Sequence, residues 1–154
     1  MTLRSWRIVK AKFSGAAFTG EGSASFGGRW NSIGVPVVYT AESLSLATLE
    51  ILVGGYPLNS FGGYVRFPVD FDESMVEVFP VKKLPKSWAS YPAVNDCRTI
   101  GDLWVKDRRS AVLRVPSAVI QEECNYVINP LHPDFGKVII GKPEALPVDR
   151  RLMQ

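Results

Sequence analysis

The stretch VPVVYTAESLSLATLEILVGG, Val35–Gly55, changes its hydrophobic pattern partway along. Its β-branched start, VPVVYTA, is typical of a short strand. Thr40 can then cap a helix that begins at Ala41. Four apolar residues share one face of that helix at helical spacing, and two glycines end it: Leu46, Leu49, Leu52 and Val53, then Gly54 and Gly55. We therefore expect a strand that leads directly into a helix.

The remaining segments are mostly strand-like. Short runs of β-branched and aromatic residues occur in SWRIVKAKF, YVRFPVDF, MVEVFPV, SAVLRVPSAVI, NYVINPLHPDF and KVIIGKPEALPVD. A second, short helix is predicted from Thr99, with Ile100, Leu103 and Trp104 on one side. This mixed order differs from the regular alternation of a doubly wound nucleotide-binding fold. It predicts one strand-rich α+β domain over residues 1–154.

Composition narrows the class of protein further. The chain has 154 residues, 46% of them hydrophobic and 21% charged, which is typical of a folded globule. It has no apolar run long enough for a membrane span, and its N-terminus does not resemble a signal peptide. Cys97, Cys124 and His132 are too few for a four-ligand zinc site, so we expect no metal. These features predict a cytoplasmic protein with reduced thiols.

The net charge of +3 is mild. A protein that binds nucleic acid directly usually has a stronger basic stripe. The charge is compatible with an anionic small molecule or an acidic protein partner. We therefore expect no direct contact with nucleic acid.

The stretch FGGRWNSIG, Phe26–Gly34, places Arg29 between two glycines and a tryptophan. It matches neither the P-loop nor the GxGxxG pattern. One interpretation is a glycine-rich turn in which the arginine stacks on Trp30. The other is an anion-binding loop, because a guanidinium presents a planar fork of donors to phosphate or carboxylate.

Three other polar residues are candidates for a site. Glu50 lies about 40° from Leu46 on the helix, at the margin of the apolar face, where a carboxylate needs a partner or a function. It can also be an edge glutamate whose head reaches water. Tyr39 can be an ordinary strand aromatic. Ser117, after a proline, can be a backbone-capping hydroxyl, and a Ser117–His132 triad lacks the GxSxG elbow.

Two long segments carry a resemblance to a known family. GGRWNSIGVPVVYTAESLSLATLEILV and LRVPSAVIQEECNYVINPLHPDF resemble the two signatures of the RES family, named for its arginine, glutamate and serine. This resemblance implies a fold similar to ADP-ribosyltransferases, with a few short helices around a central NAD cleft. It also implies a toxin of a bacterial type II toxin–antitoxin pair that depletes cellular NAD and arrests growth. The partner implied is an Xre-type helix-turn-helix antitoxin, through which any DNA contact would occur.

The resemblance also implies which residues act. Arg29, Tyr39, Glu50 and Ser117 match the family's arginine, tyrosine, glutamate and serine, and all four are expected to be catalytic and to bind NAD. Arg7 resembles a further arginine near the family's N-terminus and is expected to support Arg29 on the pyrophosphate. NAD would be the substrate, with no separate cofactor. Two further positions, Asn129 and His132, are more easily explained by a structural turn.

Glu50 would hydrogen-bond the ribose hydroxyls and stabilise an oxocarbenium-like transition state. The sequence leaves the acceptor open among water, phosphate and a protein side chain. The enzyme would be a NAD glycohydrolase or phosphorylase in the first two cases. It would be an ADP-ribosyltransferase that modifies a protein in the third. A non-catalytic binding module is the alternative from another class.

Overall fold

The computed structural model describes residues 1–59 and 62–153. Its strands are β1 (Thr2–Lys10), β2 (Val38–Ala41), β3 (Tyr64–Asp72), β4 (Val76–Val78), β5 (Val112–Pro116), β6 (Cys124–Ile128), β7 (Ile139–Ile140) and β8 (Glu144–Ala145). Its α-helices are α1 (Glu21–Phe26), α2 (Leu44–Val53) and α3 (Asn95–Lys106), and 3-10 turns cover Ala11–Ala16, Glu73–Met75, Val81–Lys83, Pro133–Lys137 and Arg150–Met153. This confirms the predicted strand-rich α+β class.

The strands form one sheet in the order β4-β5-β6-β2-β1-β3-β7, and β8 also pairs with β3. The β4–β5 pair is parallel and the other pairs are antiparallel. β1 pairs with β3 along its whole length, and β2 pairs with β6 along its whole length. By contrast, β1 and β2 share the single register pair Trp6–Ala41. The two halves of the sheet therefore separate next to this pair.

Each face of the sheet is covered by its own apolar cluster. On one face, a large cluster includes Phe67, Val69 and Tyr126. On the other face, α3 packs through the buried side chains of Cys97 and Trp104. Cys97 is a free thiol. A smaller cluster lies beneath α2. No α-helix in the described ranges is long and apolar enough to cross a membrane.

The predicted start of α2 was wrong by three residues. Ser43, not Thr40, is the N-cap, and its side chain accepts a hydrogen bond from the amide of Leu46 over 3.1 Å. Thr40 and Ala41 still belong to β2, where the Thr40 hydroxyl donates to the carbonyl of Tyr126 over 2.8 Å. Pairing with β6 therefore outweighs the local capping preference of Thr40.

The predicted buried face of α2 was also only partly right. Leu46 and Ala47 are buried, whereas Leu49 is 40% exposed and Val53 is 67% exposed. Seven of the ten residues of this helix are apolar, so periodicity alone does not identify the side that meets the sheet. That side is set by contact with Trp6 and other residues of the sheet.

Two further boundaries differ from the sequence predictions. α3 begins at Asn95 rather than Thr99, and Leu103 is 46% exposed while Trp104 is fully buried. The predicted final strand is divided into β7 and β8, both of which pair with β3. Short segments of this kind are strands because a partner edge is available, and the sequence does not contain that information.

Candidate active site

A cleft of about 640 Å³ opens where β1 and β2 separate. Its volume lies within the range of roughly 300–1,000 Å³ that is typical of small-molecule sites. Its walls are formed by residues of β1, the glycine-rich stretch Phe26–Gly34, β2, α2 and β6. The polar and aromatic side chains that line it include Trp6, Arg7, Arg29, Tyr39, Glu50, Tyr56 and Asn125. Arg7, Arg29, Tyr39 and Glu50 therefore border one cavity.

Glu50 lies within the buried face of α2, not at its margin. On a helix it falls about 40° from Leu46 and about 60° from Ala47, between these two buried residues. Its carboxylate accepts hydrogen bonds from Ser117 over 2.9 Å and from Asn125 over 2.9 and 3.0 Å. An inward carboxylate with fixed donors is expected to be oriented rather than freely rotating.

Burial raises the pKa of Glu50 above its ordinary value. The hydrogen bonds from Asn125 and Ser117 oppose this shift, and the nearby charge of Glu123 adds to it. The group is thus a partly desolvated carboxyl whose charged form is retained by two specific donors. Perturbed pKa values cluster at functional sites, so Glu50 is a candidate functional residue.

Ser117 is fully buried, and its hydroxyl makes two kinds of contact. Its hydroxyl accepts a hydrogen bond from the amide of Val119 over 3.1 Å, which caps the turn between β5 and β6. The same hydroxyl donates to Glu50. Ser117 therefore acts on the cleft through Glu50, since its own side chain is not exposed there.

Arg29 is anchored by backbone carbonyls. Its Nη1 donates to the carbonyls of Trp88 and Ser90 over 2.7 and 2.8 Å. Trp30 is 2% exposed and packs in the core beside Trp88, with ring centroids 6.5 Å apart. Arg29 thus uses these carbonyls for support, while the indole next to it in sequence belongs to the core.

Tyr39 organises the glycine-rich stretch. Its hydroxyl donates to the side-chain oxygen of Asn31 and accepts the amide of Trp30 over 3.1 Å. A Cβ on Gly28 would lie 2.6 Å from this hydroxyl, so glycine is needed there for close approach. Burial raises the pKa of Tyr39, which keeps the phenol neutral at physiological pH.

Arg7 bridges the opening between the two halves of the sheet. Its Nε donates to the carbonyl of Ala17 over 2.6 Å and its Nη1 to the carbonyl of Tyr39 over 2.9 Å. Burial lowers the pKa of Arg7 to about 10, a value at which the guanidinium still carries its charge at neutral pH. Arg7 therefore supports β2 at the point where the strand ladder is missing.

Neither cleft arginine is neutralised by a carboxylate. Within residues 1–59 and 62–153, the ion pairs closer than 4.0 Å involve other residues. An unpaired, partly buried cation is costly, and an anion in the cleft would compensate that cost. The arrangement of Arg7 and Arg29 therefore favours an anionic ligand.

Asn129 and His132 have structural roles outside the cleft. The side chain of Asn129 accepts the amide of Leu131 over 3.0 Å, and the ring of His132 accepts the amide of Asp134 over 3.0 Å. His132 also hydrogen-bonds the carbonyl of Arg108 over 3.1 Å. These contacts support the interpretation as a turn, and they do not join His132 to Ser117.

Two site residues were missed in the sequence. Asn125 donates to both oxygens of Glu50, and Asn31 supports the loop by donating to the carbonyls of Ser23 and Val35. The available signal was a polar side chain within an otherwise apolar strand for Asn125. For Asn31 it was an amide side chain, which has both a donor group and an acceptor group, between Gly28 and Gly34.

The chain is similar to several known proteins. A model of the RES domain matches residues 4–149 of the chain. A protein from Sphingobium sp. (strain YBL2), named Prs ADP-ribosylating toxin, is 39% identical over 160 residues. The match covers 100% of this chain and 99% of that protein. A protein named Toxin Res from Photorhabdus laumondii is 35% identical over 135 residues, covering 87% of this chain and 86% of that protein. Another Toxin Res, from Yersinia enterocolitica, is 32% identical over 148 residues, covering 96% of this chain and 97% of that protein.

A solved structure shares the fold. It is the crystal structure of the M. tuberculosis MbcT–MbcA toxin–antitoxin complex, which matches with a TM-score of 0.75 at 17% identity. The match covers 95% of this chain and 85% of the matched chain. At this identity the likeness concerns the fold, and the family assignment depends on the domain match and on the closer sequence relatives. Together these show that the chain belongs to the RES domain family.

Proposed function

We propose that this chain is the toxin of a toxin–antitoxin pair and that it depletes NAD by breaking the nicotinamide–ribose bond. The observation that carries the proposal is the hydrogen-bonded carboxylate of Glu50 in a cleft with two guanidiniums, neither of which pairs with a carboxylate in the described part of the chain. A dinucleotide offers matching chemistry, because it has a pyrophosphate for the cations and a ribose for the carboxylate. The relatives named as toxins support the biological role.

The reaction fits a site with one central carboxylate. The nicotinamide ring of NAD is cationic, so the bond to the ribose breaks with its electron pair going to the ring nitrogen and nicotinamide leaves neutral. No general acid is needed, unlike the two-carboxylate arrangement usual in glycoside hydrolysis. Glu50 stabilises the positive charge that develops on the ribose. In the simplest case a water molecule then bonds to the ribose carbon and releases a proton.

The other residues place the substrate. Arg29, with Arg7 in support, binds the pyrophosphate through charge-assisted hydrogen bonds. Tyr39 packs against the nicotinamide or ribose while its hydroxyl holds the glycine-rich stretch. Ser117 orients Glu50 from beneath.

Transfer of ADP-ribose to a protein is a second candidate. The observation that favours it is the name of the Sphingobium relative, Prs ADP-ribosylating toxin. The same cleft chemistry serves both reactions, which differ only in whether water, phosphate or a side chain bonds to the ribose carbon. Mass spectrometry of the NAD products, with and without phosphate and added bacterial protein, distinguishes these acceptors.

The central experiment is NAD consumption by the purified chain, freed of any antitoxin. We expect Glu50→Gln and Arg29→Ala each to lose turnover by about a hundredfold or more. Glu122→Gln and Arg150→Ala are matched controls, because both side chains are exposed and neither lines the cleft. Wild-type turnover in both cleft variants would contradict the proposal.

The antitoxin is proposed to be of the Xre helix-turn-helix type and to act at this cleft. The structural neighbour was solved as a toxin–antitoxin complex, which supports a protein partner. A segment that fills or covers the cleft would block the dinucleotide. Calorimetry should then detect NAD binding to the free chain and none to the complex, and equal affinity in both would exclude this mode of inhibition.

A non-catalytic binding module predicts a different phenotype. An enzyme that depletes NAD should arrest the growth of its host unless the antitoxin is co-expressed. Harmless expression of the wild-type chain alone, at the same protein level as Glu50→Gln, would favour the binding module.

A further inference from the structure

Asn125 lies on β6 directly opposite Ala41 of β2 and Val115 of β5. Alternation along the strand puts Cys124, Tyr126 and Ile128 in the cluster on the opposite face of the sheet. Asn125 therefore projects from the face that carries α2, next to the end of β2. Its position in the sheet, rather than a mobile loop, brings its amide to Glu50.

The orientation of this amide is determined by its surroundings. Nδ2 donates to Oε1 and Oε2 of Glu50 over 3.0 and 2.9 Å and to the carbonyl of Thr40 over 3.3 Å. Rotating the amide by 180° would place its oxygen against these acceptors, which is unfavourable. The carbonyl of Thr40 thus fixes the amide with its donors toward the carboxylate.

Ser117 and Asn125 make different contacts with Glu50. Ser117 bonds to Oε2 alone. In the part of the chain that the structure describes, Asn125 supplies the one hydrogen bond to Oε1. Without Asn125, the carboxylate would be held at one oxygen and could turn about its last side-chain bond. Asn125 thereby fixes the plane of the carboxylate.

We propose that Asn125 is a positioning residue that holds both oxygens of Glu50 as an oriented carboxylate facing the cleft. This inference rests on the proposed function for its effect on catalysis, but the contact itself can be tested without NAD. Asn125 acts through Glu50, and its loss should change the protonation of that group as well as its geometry.

A titration would measure the pKa of Glu50, which depends on the charged and polar groups around it. Burial raises its pKa, Asn125 and Ser117 lower it, and Glu123 raises it. Glu42, which precedes α2, is engaged by the amide of Cys124 over 3.0 Å. The other titratable side chains that line the cleft are Arg7, Arg29, Tyr39 and Tyr56. Among these groups, Asn125 is a neutral donor that can be replaced without altering the arginines.

The test compares Asn125→Asp and Asn125→Ala with the wild-type chain. Asn125→Asp keeps the size of the side chain but places a second carboxyl against Glu50, so the pair should share a proton. The control is Asn95→Asp, which makes the same change at the start of α3, away from the cleft. Circular dichroism of all the variants establishes that they fold.

The first readout is an NMR titration of the Glu50 carboxyl carbon, identified by its loss in Glu50→Gln. We expect its midpoint to rise by about one pH unit or more in Asn125→Asp and to rise in Asn125→Ala. The control should match wild type. An unchanged midpoint in both variants would overturn the proposal.

The second readout is the NAD cleavage rate against pH. The acid limb should shift upward in both variants, so that the loss near pH 6 exceeds the loss near pH 8.5 by about tenfold. A uniform loss at every pH would indicate a merely structural role and contradict the proposal. If the wild-type chain does not cleave NAD, the proposed function fails, and the carboxyl titration still decides the role of Asn125.

Discussion

The hydroxyl of Ser117 donates a 2.9 Å hydrogen bond to Oε2 of Glu50, 67 positions earlier in the chain. It links the turn after β5 to the middle of α2. The serine is fully buried, and its second contact is with backbone. Ser117 therefore connects a buried turn of the backbone to a carboxylate that lines the cleft.

Replacing Ser117 with alanine should affect activity more than folding. We expect NAD turnover to fall by about tenfold to a hundredfold, because Glu50 loses one of its two donors. Stability should fall by about 1–2 kcal/mol, since the amide of Val119 loses its acceptor. Turnover assays and urea unfolding measure the two effects. Ser25→Ala, an exposed change on α1, should alter neither, and unchanged turnover in Ser117→Ala would show that the bond does not orient Glu50.

The charged form of Glu50 should lower the free energy of unfolding at neutral pH. Because its pKa is raised in the folded state, its protonated form favours folding. This contribution is present at low pH and is lost as pH rises from the unfolded value, about 4.3, through the raised folded value. Glu50→Gln should therefore be more stable than wild type at pH 7, by about 1 kcal/mol.

Urea unfolding at two pH values checks this expectation. The advantage of Glu50→Gln should shrink near pH 4, where the wild-type carboxyl becomes protonated. The exposed Glu122→Gln should behave as wild type at both pH values. A Glu50→Gln variant that is less stable at pH 7 would mean that the hydrogen bonds outweigh the cost of burial.

Gly28→Ala should disturb the cleft through Tyr39. The new Cβ would lie 2.6 Å from the phenol oxygen and 2.9 Å from the side-chain oxygen of Asn31. Moving either group breaks the contacts that hold the backbone beside Arg29, so we expect NAD affinity and turnover to fall by about tenfold or more. Isothermal titration and turnover assays measure this loss.

A matched glycine is available for comparison with Gly28. Gly136 lies in the 3-10 turn Pro133–Lys137, and a Cβ there meets no atom within 4 Å. Gly136→Ala should keep wild-type binding. If Gly28→Ala also binds NAD normally, Tyr39 does not control the position of Arg29.

Gly101→Ala should destabilise the whole fold. A Cβ on this residue of α3 would lie 1.6 Å from the carbonyl oxygen of Trp30, which is backbone and cannot turn aside. Alanine gains about 1 kcal/mol of helix propensity, but the overlap should cost about 3 kcal/mol or more, so the net effect is a loss. Thermal and urea unfolding measure it. Gly15→Ala, with no atom within 4 Å, should be near neutral, and equal stability of the two variants would contradict this packing.

The class of most elements could be predicted from local patterns, although the short helix α1 was not predicted. The strand-like patterns in residues 5–13 and 64–71 overlap β1 and β3, and Gly54 ends α2 as expected. Boundaries were less predictable where a tertiary contact competes with a local signal. Thr40 shows this, because pairing with β6 keeps it in a strand although it is a good helix cap.

The residues of the candidate site were also only partly predictable from the sequence. The RES resemblance, now confirmed by the family match, named Arg29, Tyr39, Glu50 and Ser117 from motif positions. It did not include Asn125, because a polar side chain in an otherwise apolar strand does not indicate which group it will contact. Only the register of β6 against β2 brings that amide to Glu50.

By itself, the sequence determined the strand-rich α+β class and the chemical groups present, because these depend on residue type and local periodicity. The family followed from the resemblance of two long segments to the RES signatures. Tertiary structure decided that α2 turns Glu50 inward and that β1 and β2 separate to open a cleft. It also decided that Arg7 and Arg29 border this cleft and that neither has a carboxylate partner among residues 1–59 and 62–153. These features depend on which surfaces meet after folding, and long-range contacts of that kind leave no periodic signal in the chain.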